Sequence, residues 1–164
     1  MIEQTWIDPR CDRSEWPPGE WDREPDKVQW KDEATGVACL AKRHASSGHW
    51  CGYVGVAAGH PWHGKGYSDV EVNTHGGLTF ADSCEEGPPE QTVCHIPEPG
   101  EPDNLWWLGF DCAHAWDHSP RDYVMAREHG YPFTIDPTSS YKSLAYVKNH
   151  CAELAQQVAA ASLV

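Results

Sequence analysis

Short runs of alternating apolar and polar residues, separated by turn signals, dominate the chain after its first 26 residues. Three such runs cover 27–31, 37–44 and 49–56, with turn residues at 33–36 and 46–48 between them. Alternation interrupted by turns of this kind is typical of antiparallel strands. We therefore expect three consecutive strands that form a meander.

Two further strands are expected downstream. Residues 70–73 and 77–80 predict a strand that is broken around His75, because paired glycines such as those at 76 and 77 often mark a bulge or a close backbone approach. Residues 105–112 are the most apolar run and too few for a helix of ordinary length, so they predict a buried strand. A turn is expected at 118–120.

Apolar residues spaced three or four positions apart mark the C-terminal part of the chain. This spacing, with Ser139 or Ser140 as a helix cap, predicts an amphipathic helix over about 139–160. The fold class expected is α+β, an antiparallel meander sheet packed by this C-terminal helix, with long loops. The apolar residues are Leu144, Val147, Cys151, Leu154 and Val158.

Three segments show neither helical nor strand periodicity. Residues 1–26 predict an irregular arm rich in Trp and Pro, 59–67 a loop that contains glycines, and 83–104 an exposed acidic loop with several prolines. A length of 164 residues is ordinary for one domain, so a single domain over 1–164 is expected.

Acidic residues outnumber basic residues. The chain has 12 Lys and Arg against 25 Asp and Glu, a formal net charge of -13 at pH 7. This excess opposes binding to duplex nucleic acid and to anionic membranes. No apolar run has the length of a signal-peptide core or a membrane span, so we expect a cytoplasmic protein without a membrane partner.

Seven cysteines are scattered along the chain without a C-x-x-C pair. With no export signal, reduced thiols are the simplest expectation. Cys84 and Cys94, which flank the acidic loop, have two alternatives to free thiols, a disulfide or a part in a metal site.

Signatures of several enzyme classes are absent from the sequence. It has no P-loop, no G-x-G-x-x-G, no H-E-x-x-H, no G-x-S-x-G and no zinc-deaminase motif pair. NTPases, nicotinamide enzymes, zincins, esterases and zinc deaminases therefore lose support.

Four residues form a candidate catalytic group: His75 at the strand break, and Asp111, His114 and Asp117 at the end of the buried strand. Imidazole transfers protons near neutral pH, and imidazole with carboxylate also suits a divalent metal. The candidate metal ligands are therefore His75, His114 and Asp117. The structural alternative is a local turn network around His114 and Asp117.

Candidate ligand-binding residues lie in a loop, in the glycine pair and in the buried strand. Aromatic faces stack on bases, cationic side chains neutralise phosphate, and glycine amides donate to anions. The structural alternative is that the histidines are exposed loop residues and the tryptophans core residues. The set is His60, Trp62, His63, Lys65, Tyr67, Gly76, Gly77 and Trp107.

Several runs resemble a group of small uncharacterised reading frames from bacteriophage and bacterial genomes. The most specific are HGGLTF at 75–80 and WWLGFDCAH at 106–114, with further runs at 52–56, 59–61 and 141–147. The resemblance covers roughly 52–158 and brings no activity, cofactor or catalytic residue. It implies a phage-type protein in a bacterial host, a setting that includes proteins that cleave or sequester nucleotide immune signals.

Three functions stay open at this point. The first is a hydrolase of a small phosphate-bearing substrate, such as a cyclic nucleotide signal, with or without a divalent metal. The second is a non-catalytic protein that binds and sequesters the same kind of nucleotide ligand. The third is an inhibitor that binds a protein partner through its acidic surface, although most of the acids lie in segments that look ordinarily solvated.

Overall fold

The computed structural model describes residues 3–129 and 140–162. Within these ranges lie a six-stranded sheet, a short two-stranded sheet and two α-helices. The large sheet comprises β1 (Gln4–Trp6), β2 (Lys27–Lys31), β3 (Ala38–Arg43), β4 (Trp50–Val56), β5 (Phe80–Ser83) and β6 (Trp106–Asp111). The small sheet comprises β7 (Asp117–His118) and β8 (Ser140–Tyr141), and the helices are α1 (Pro120–His129) and α2 (Leu144–Ala161). Short 3-10 turns cover Glu20–Arg23 and Tyr67–Asp69.

The large sheet is antiparallel throughout, in the order β1-β2-β3-β4-β6-β5. Strands β2, β3 and β4 form the expected meander, and β6 lies between β4 and β5. Helix α2 packs on β3 and β4. The α+β class, with an antiparallel sheet covered by a C-terminal helix, is therefore confirmed. Among the described residues, no helix is long and apolar enough to cross a lipid bilayer.

Helix α2 follows from the spacing of its apolar residues, which places them on one face. It begins later than residue 139, because Ser143 is the N-cap and its hydroxyl accepts from the amide of Tyr146 at 3.3 Å. The carboxylate of Glu24 accepts from the amide of Leu144 at 2.5 Å and so satisfies the same helix end. The side chains of α2 that are buried against the sheet are Val147, Cys151, Leu154, Ala155 and Val158.

The acidic loop is less exposed than its composition predicts. Thr92 and Val93 are buried, and Val93 belongs to a second core cluster on the sheet face opposite α2. The ammonium group of Lys27, in β2, donates to the carbonyls of Thr92 and Cys94 at 2.8 Å each. The prediction of an exposed loop over 83–104 is therefore wrong for the middle of this segment. Lys27 binds the backbone of the loop and holds it against the sheet.

Three local predictions also differ from the structure. Residues 70–73 are not in a strand. Gly76 and Gly77 have φ of 68° and 82°, so the chain turns after this segment, and β5 begins only at Phe80. Helix α1 begins at Pro120, where the sequence predicts only a turn, because proline fits the first position of a helix. The N-terminal arm is not wholly irregular, because Gln4–Trp6 pairs with β2.

Cys84 and Cys94 are joined by a disulfide, with their Cα atoms 4.8 Å apart. The expectation of reduced thiols is therefore wrong for this pair. The remaining cysteines are free, and of these Cys51 is half-buried while the others are buried, namely Cys11, Cys39, Cys112 and Cys151.

Candidate functional site

The buried carboxylate of Asp117 lies at the centre of the candidate site. Asp117 begins β7 after a turn in which its amide donates to the carbonyl of His114 at 2.9 Å. Both carboxylate oxygens lie 2.9 Å from Nε2 of His75. Oδ2 also lies 2.9 Å from Nδ1 of His114 and accepts from the His114 amide at 3.0 Å. Three of the four residues in the predicted catalytic group thus meet at one carboxylate.

Both ring nitrogens of His75 have hydrogen-bond partners. Because Nε2 faces a carboxylate, this nitrogen carries the proton and donates to Asp117. Nδ1 then accepts from the hydroxyl of Tyr146 at 2.7 Å. The side chain of His75 is also only 4% exposed. His75 therefore holds Asp117 in place, and neither of its ring nitrogens is free to act on a substrate.

Among the described residues, His114 has a hydrogen-bond partner at only one ring nitrogen. Nδ1 donates to Asp117, so Nε2 is the unprotonated nitrogen of the neutral ring. In the described part of the chain no residue forms a hydrogen bond with Nε2, and Oδ1 of Asp111 lies 3.9 Å away. The imidazole also stacks on Trp116, with ring centroids 4.7 Å apart. An oriented imidazole with one free nitrogen is the arrangement of a general base.

Gly76 lies against the free edge of the His114 ring. A Cβ atom at this position would lie 2.2 Å from both Cε1 and Nε2 of His114. The backbone here also has a φ of +68°, in the left-handed region that favours glycine. Glycine therefore leaves Nε2 uncovered by any side chain from this turn.

Three residues outside the predicted catalytic group complete the cluster. Nζ of Lys142 lies 3.2 Å from Oδ1 of Asp117. Tyr146 and His150 are four residues apart on α2, and their ring centroids lie 5.2 Å and 5.6 Å from that of His75. The spacing of Tyr146 and His150 beside the apolar face of a helix is a sequence signal that could have placed both residues at the site. The sequence around Lys142 contains no comparable signal.

Electrostatics keep the Asp117 carboxylate ionised. Burial raises its pKa, but the hydrogen bonds from His75 and His114 outweigh burial, so the net pKa is lowered. Burial raises the pKa of Tyr146, which keeps its hydroxyl protonated and able to donate to His75. Burial also lowers the pKa of His150 and favours its neutral ring.

A metal ion is the alternative occupant of this cluster. One ligand atom from each of His75, His114 and Asp117 lies within 4.8 Å of the others. However, the ammonium group of Lys142 already neutralises Asp117, and the ring nitrogens that face the carboxylate carry protons that a metal would have to displace. The residues therefore fit proton transfer better than cation binding.

A cleft of about 660 Å³ opens beside His114, within the size range of small-molecule sites. Burial lowers the pKa of His49, on its wall, to about 4, so that imidazole is neutral near pH 7. Burial also raises the pKa of the Cys112 thiol, which disfavours a reactive thiolate. The lining includes Ser47, His49, Cys112, His114, His118 and Met125.

The loop at 59–67 lies at the other end of α2. Nε2 of His60 donates to the carbonyl of Val158 at 2.8 Å, and Val158 follows Tyr146 by 12 residues. At a rise of 1.5 Å per residue this is about 18 Å along the helix. Nε2 of His63 donates to the carbonyl of Asn104 at 3.0 Å. The structure therefore does not bring this loop to Asp117.

The remaining ligand candidates divide by their surroundings. Trp107 is fully buried in the second core cluster and has no face available for stacking on a base, and Trp62 packs against the main core. Lys65 and Tyr67 are exposed on the distant loop. The glycines at 76 and 77 do lie at the candidate site, in the turn that carries His75.

Comparison with protein-family models, with curated proteins and with solved structures finds no match to this chain. Inference about its function therefore rests on the sequence and on the geometry of the site.

Proposed function

We propose that the protein is a hydrolase in which His114 acts as a general base toward water, on a small phosphate-bearing substrate in the adjacent cleft. The observation that carries this proposal is the free Nε2 of an imidazole that a buried carboxylate orients at the wall of a cleft.

A chain of hydrogen bonds supports the role of His114. The hydroxyl of Tyr146 donates to His75, His75 donates to Asp117, and Asp117 accepts from Nδ1 of His114. This order fixes the tautomer of His114 and leaves Nε2 to accept a proton. The carboxylate then stabilises the imidazolium that forms, as in other carboxylate–histidine pairs. His75 and Tyr146 are positioning residues in this scheme.

Water fits the role of the nucleophile that His114 activates. Burial raises the pKa of the Cys112 thiol. No hydroxyl among the described residues is hydrogen-bonded to Nε2 of His114: that of Ser119 accepts from the amide of Asp122 at 3.3 Å, and that of Ser47 is hydrogen-bonded to Nδ1 of His49. Nε2 of His114 has no such partner among the described residues, so it is available to a bound water.

The choice of a small phosphate-bearing substrate rests on two supports. The net charge of -13 opposes long polyanions, while a compact anion needs only a few donors within a cleft. The resemblance to bacteriophage reading frames makes cyclic and adenosine-diphosphate-ribose-type nucleotides the first class to test.

The test is incubation of the purified protein with a panel of these nucleotides, with and without a chelator, followed by chromatography of the solution and of heat-released ligand. We expect new products that form equally well with the chelator. His114→Gln and Asp117→Asn should each lower the rate by on the order of 100-fold or more. Asp69→Asn, at an exposed aspartate, is the matched control and should keep the rate.

Each other outcome contradicts a defined part of the proposal. An intact nucleotide recovered only after heating would identify a sequestering protein instead of a hydrolase. Activity that disappears with the chelator would assign His75, His114 and Asp117 to a metal. A panel that is neither cleaved nor bound would shift the function to a protein partner.

A further inference from the structure

A second group of metal-ligating side chains lies on the sheet face opposite α2. One ligand atom from each of Cys84, Cys94 and His95 lies within 4.8 Å of the others. Cys84 follows the end of β5, while Cys94 and His95 lie beyond the tip of the acidic loop. Both cysteine residues are half-buried.

His95 has a buried ring nitrogen that no described residue satisfies. The residue is 8% exposed, and its Nδ1 is buried without a hydrogen-bond partner in the described part of the chain. An unsatisfied buried polar atom is costly and calls for an explanation such as a bound ion. Its ring packs edge-on against Trp107, with centroids 5.3 Å apart.

Contacts other than the disulfide hold the two cysteines side by side. The amide of Glu85 donates to the carbonyl of Val93 at 3.2 Å, and the amide of Val93 donates to the Glu85 carboxylate at 3.1 Å. The ammonium group of Lys27 also donates to the carbonyl of Cys94 at 2.8 Å. This scaffold keeps the cysteines together when the disulfide is reduced.

We infer that Cys84, Cys94 and His95 form a Zn²⁺ site when the disulfide is reduced. Two thiolates and one imidazole are typical zinc ligands, and a water molecule completes the tetrahedron. A dithiol supplies two electrons and two protons, converts the protein disulfide into two thiols and becomes a disulfide itself. Binding of Zn²⁺ to the two sulfurs then releases the two thiol protons to solvent. The site is therefore open to metal only in the reduced protein.

The test uses the full chain and Co²⁺ as a spectroscopic substitute for Zn²⁺. The protein is reduced with a phosphine, the phosphine is removed, and Co²⁺ is titrated without oxygen. We expect one equivalent to produce a sulfur-to-cobalt charge-transfer band that Zn²⁺ abolishes. The oxidised protein should show no such band, a comparison that needs no substitution.

Variants locate the metal. Cys94→Ser should abolish the charge-transfer band, and His95→Gln should weaken Co²⁺ binding by at least about tenfold, the effect of losing even an outer-shell partner. Cys51→Ser removes a half-buried thiol elsewhere in the sheet and should leave the band unchanged. A reduced wild-type protein without the band, or a band that survives Cys94→Ser, would overturn the assignment.

Discussion

At the scale of single residues, two neighbouring glycines allow the effect of backbone strain to be measured separately from the effect of steric contact with His114. Both Gly76 and Gly77 have positive φ, but a Cβ at 76 would lie 2.2 Å from the His114 ring, whereas a Cβ at 77 would meet nothing within 4 Å. We expect Gly77→Ala to lower the free energy of unfolding by about 1–2 kcal/mol through backbone strain alone. Gly76→Ala should lower it further and also displace His114.

Urea denaturation of both variants, with the nucleotide assay, measures this difference. Gly76→Ala should reduce hydrolysis to the level of His114→Gln, while Gly77→Ala should retain it. Equal effects of the two substitutions on stability and activity would show that Nε2 of His114 does not depend on the space left by Gly76.

The sequence predicts His75, His114 and Asp117 as candidates because their residue types are suited to proton transfer, and because His75 precedes a glycine pair while His114 and Asp117 follow a buried strand. It did not reveal that one carboxylate joins them, since Asp117 and His75 are 42 residues apart. Lys142 was missed because a lysine beside a helix start is usually solvated. Only the β7–β8 pairing, which is long-range, brings it to Asp117.

At the scale of elements, Glu24 connects the N-terminal arm to the start of α2. Its carboxylate accepts from the amide of Leu144 and the hydroxyl of Tyr141, each at 2.5 Å, and from the buried guanidinium of Arg43 at 3.0 Å. Glu24→Gln should lower the free energy of unfolding by roughly 1.5–3 kcal/mol, the range for hydrogen bonds to charged groups. Chemical denaturation measures the loss, and Glu20→Gln, at an exposed glutamate that begins the 3-10 turn just before Glu24, should change the free energy of unfolding little. An equal loss in both variants would refute the role of Glu24.

Elements with strong periodicity were predictable, and those that depend on distant contacts were not. The apolar spacing of α2 encodes one buried face, and the alternation in β2, β3 and β4 encodes extended strands, of which β3 and β4 contribute to a core on each side of the sheet. Helix α1 buries only Pro120 and Val124, so its sequence carries no apolar stripe that periodicity can detect. The acidic loop contains too many prolines and acids to suggest burial, because its position depends on Lys27, more than 60 residues earlier.

At the scale of the whole molecule, stability should fall in mildly acidic solution. Burial lowers the pKa of His49 to about 4, while an unfolded histidine titrates near 6.5. As pH falls from about 6.5 to about 4, the unfolded chain binds a proton that the folded chain does not, so the free energy of unfolding decreases. Burial lowers the pKa of His95 and His150 as well and adds in the same direction. The lowered pKa of Asp117 adds a further loss only below about pH 4.

Urea denaturation at about pH 7.5 and about pH 5 tests this dependence. The wild-type protein should lose on the order of 1–3 kcal/mol between the two conditions. His49→Gln should show a smaller difference, because it removes one of the groups that titrate only in the unfolded state. The same free energy of unfolding at both pH values in the wild-type protein would contradict the expectation.

The strand order has a consequence for self-association. The outer strands of the large sheet are β1, with 3 residues, and β5, with 4 residues. Asp82 and Ser83 of β5 are exposed, and the first residues of β1 are polar. Short, polar outer strands offer few unpaired amides and carbonyls to another chain. The two long apolar strands, β4 and β6, each lie between two other strands, so the segments most prone to form cross-β aggregates are kept from contact while the protein stays folded.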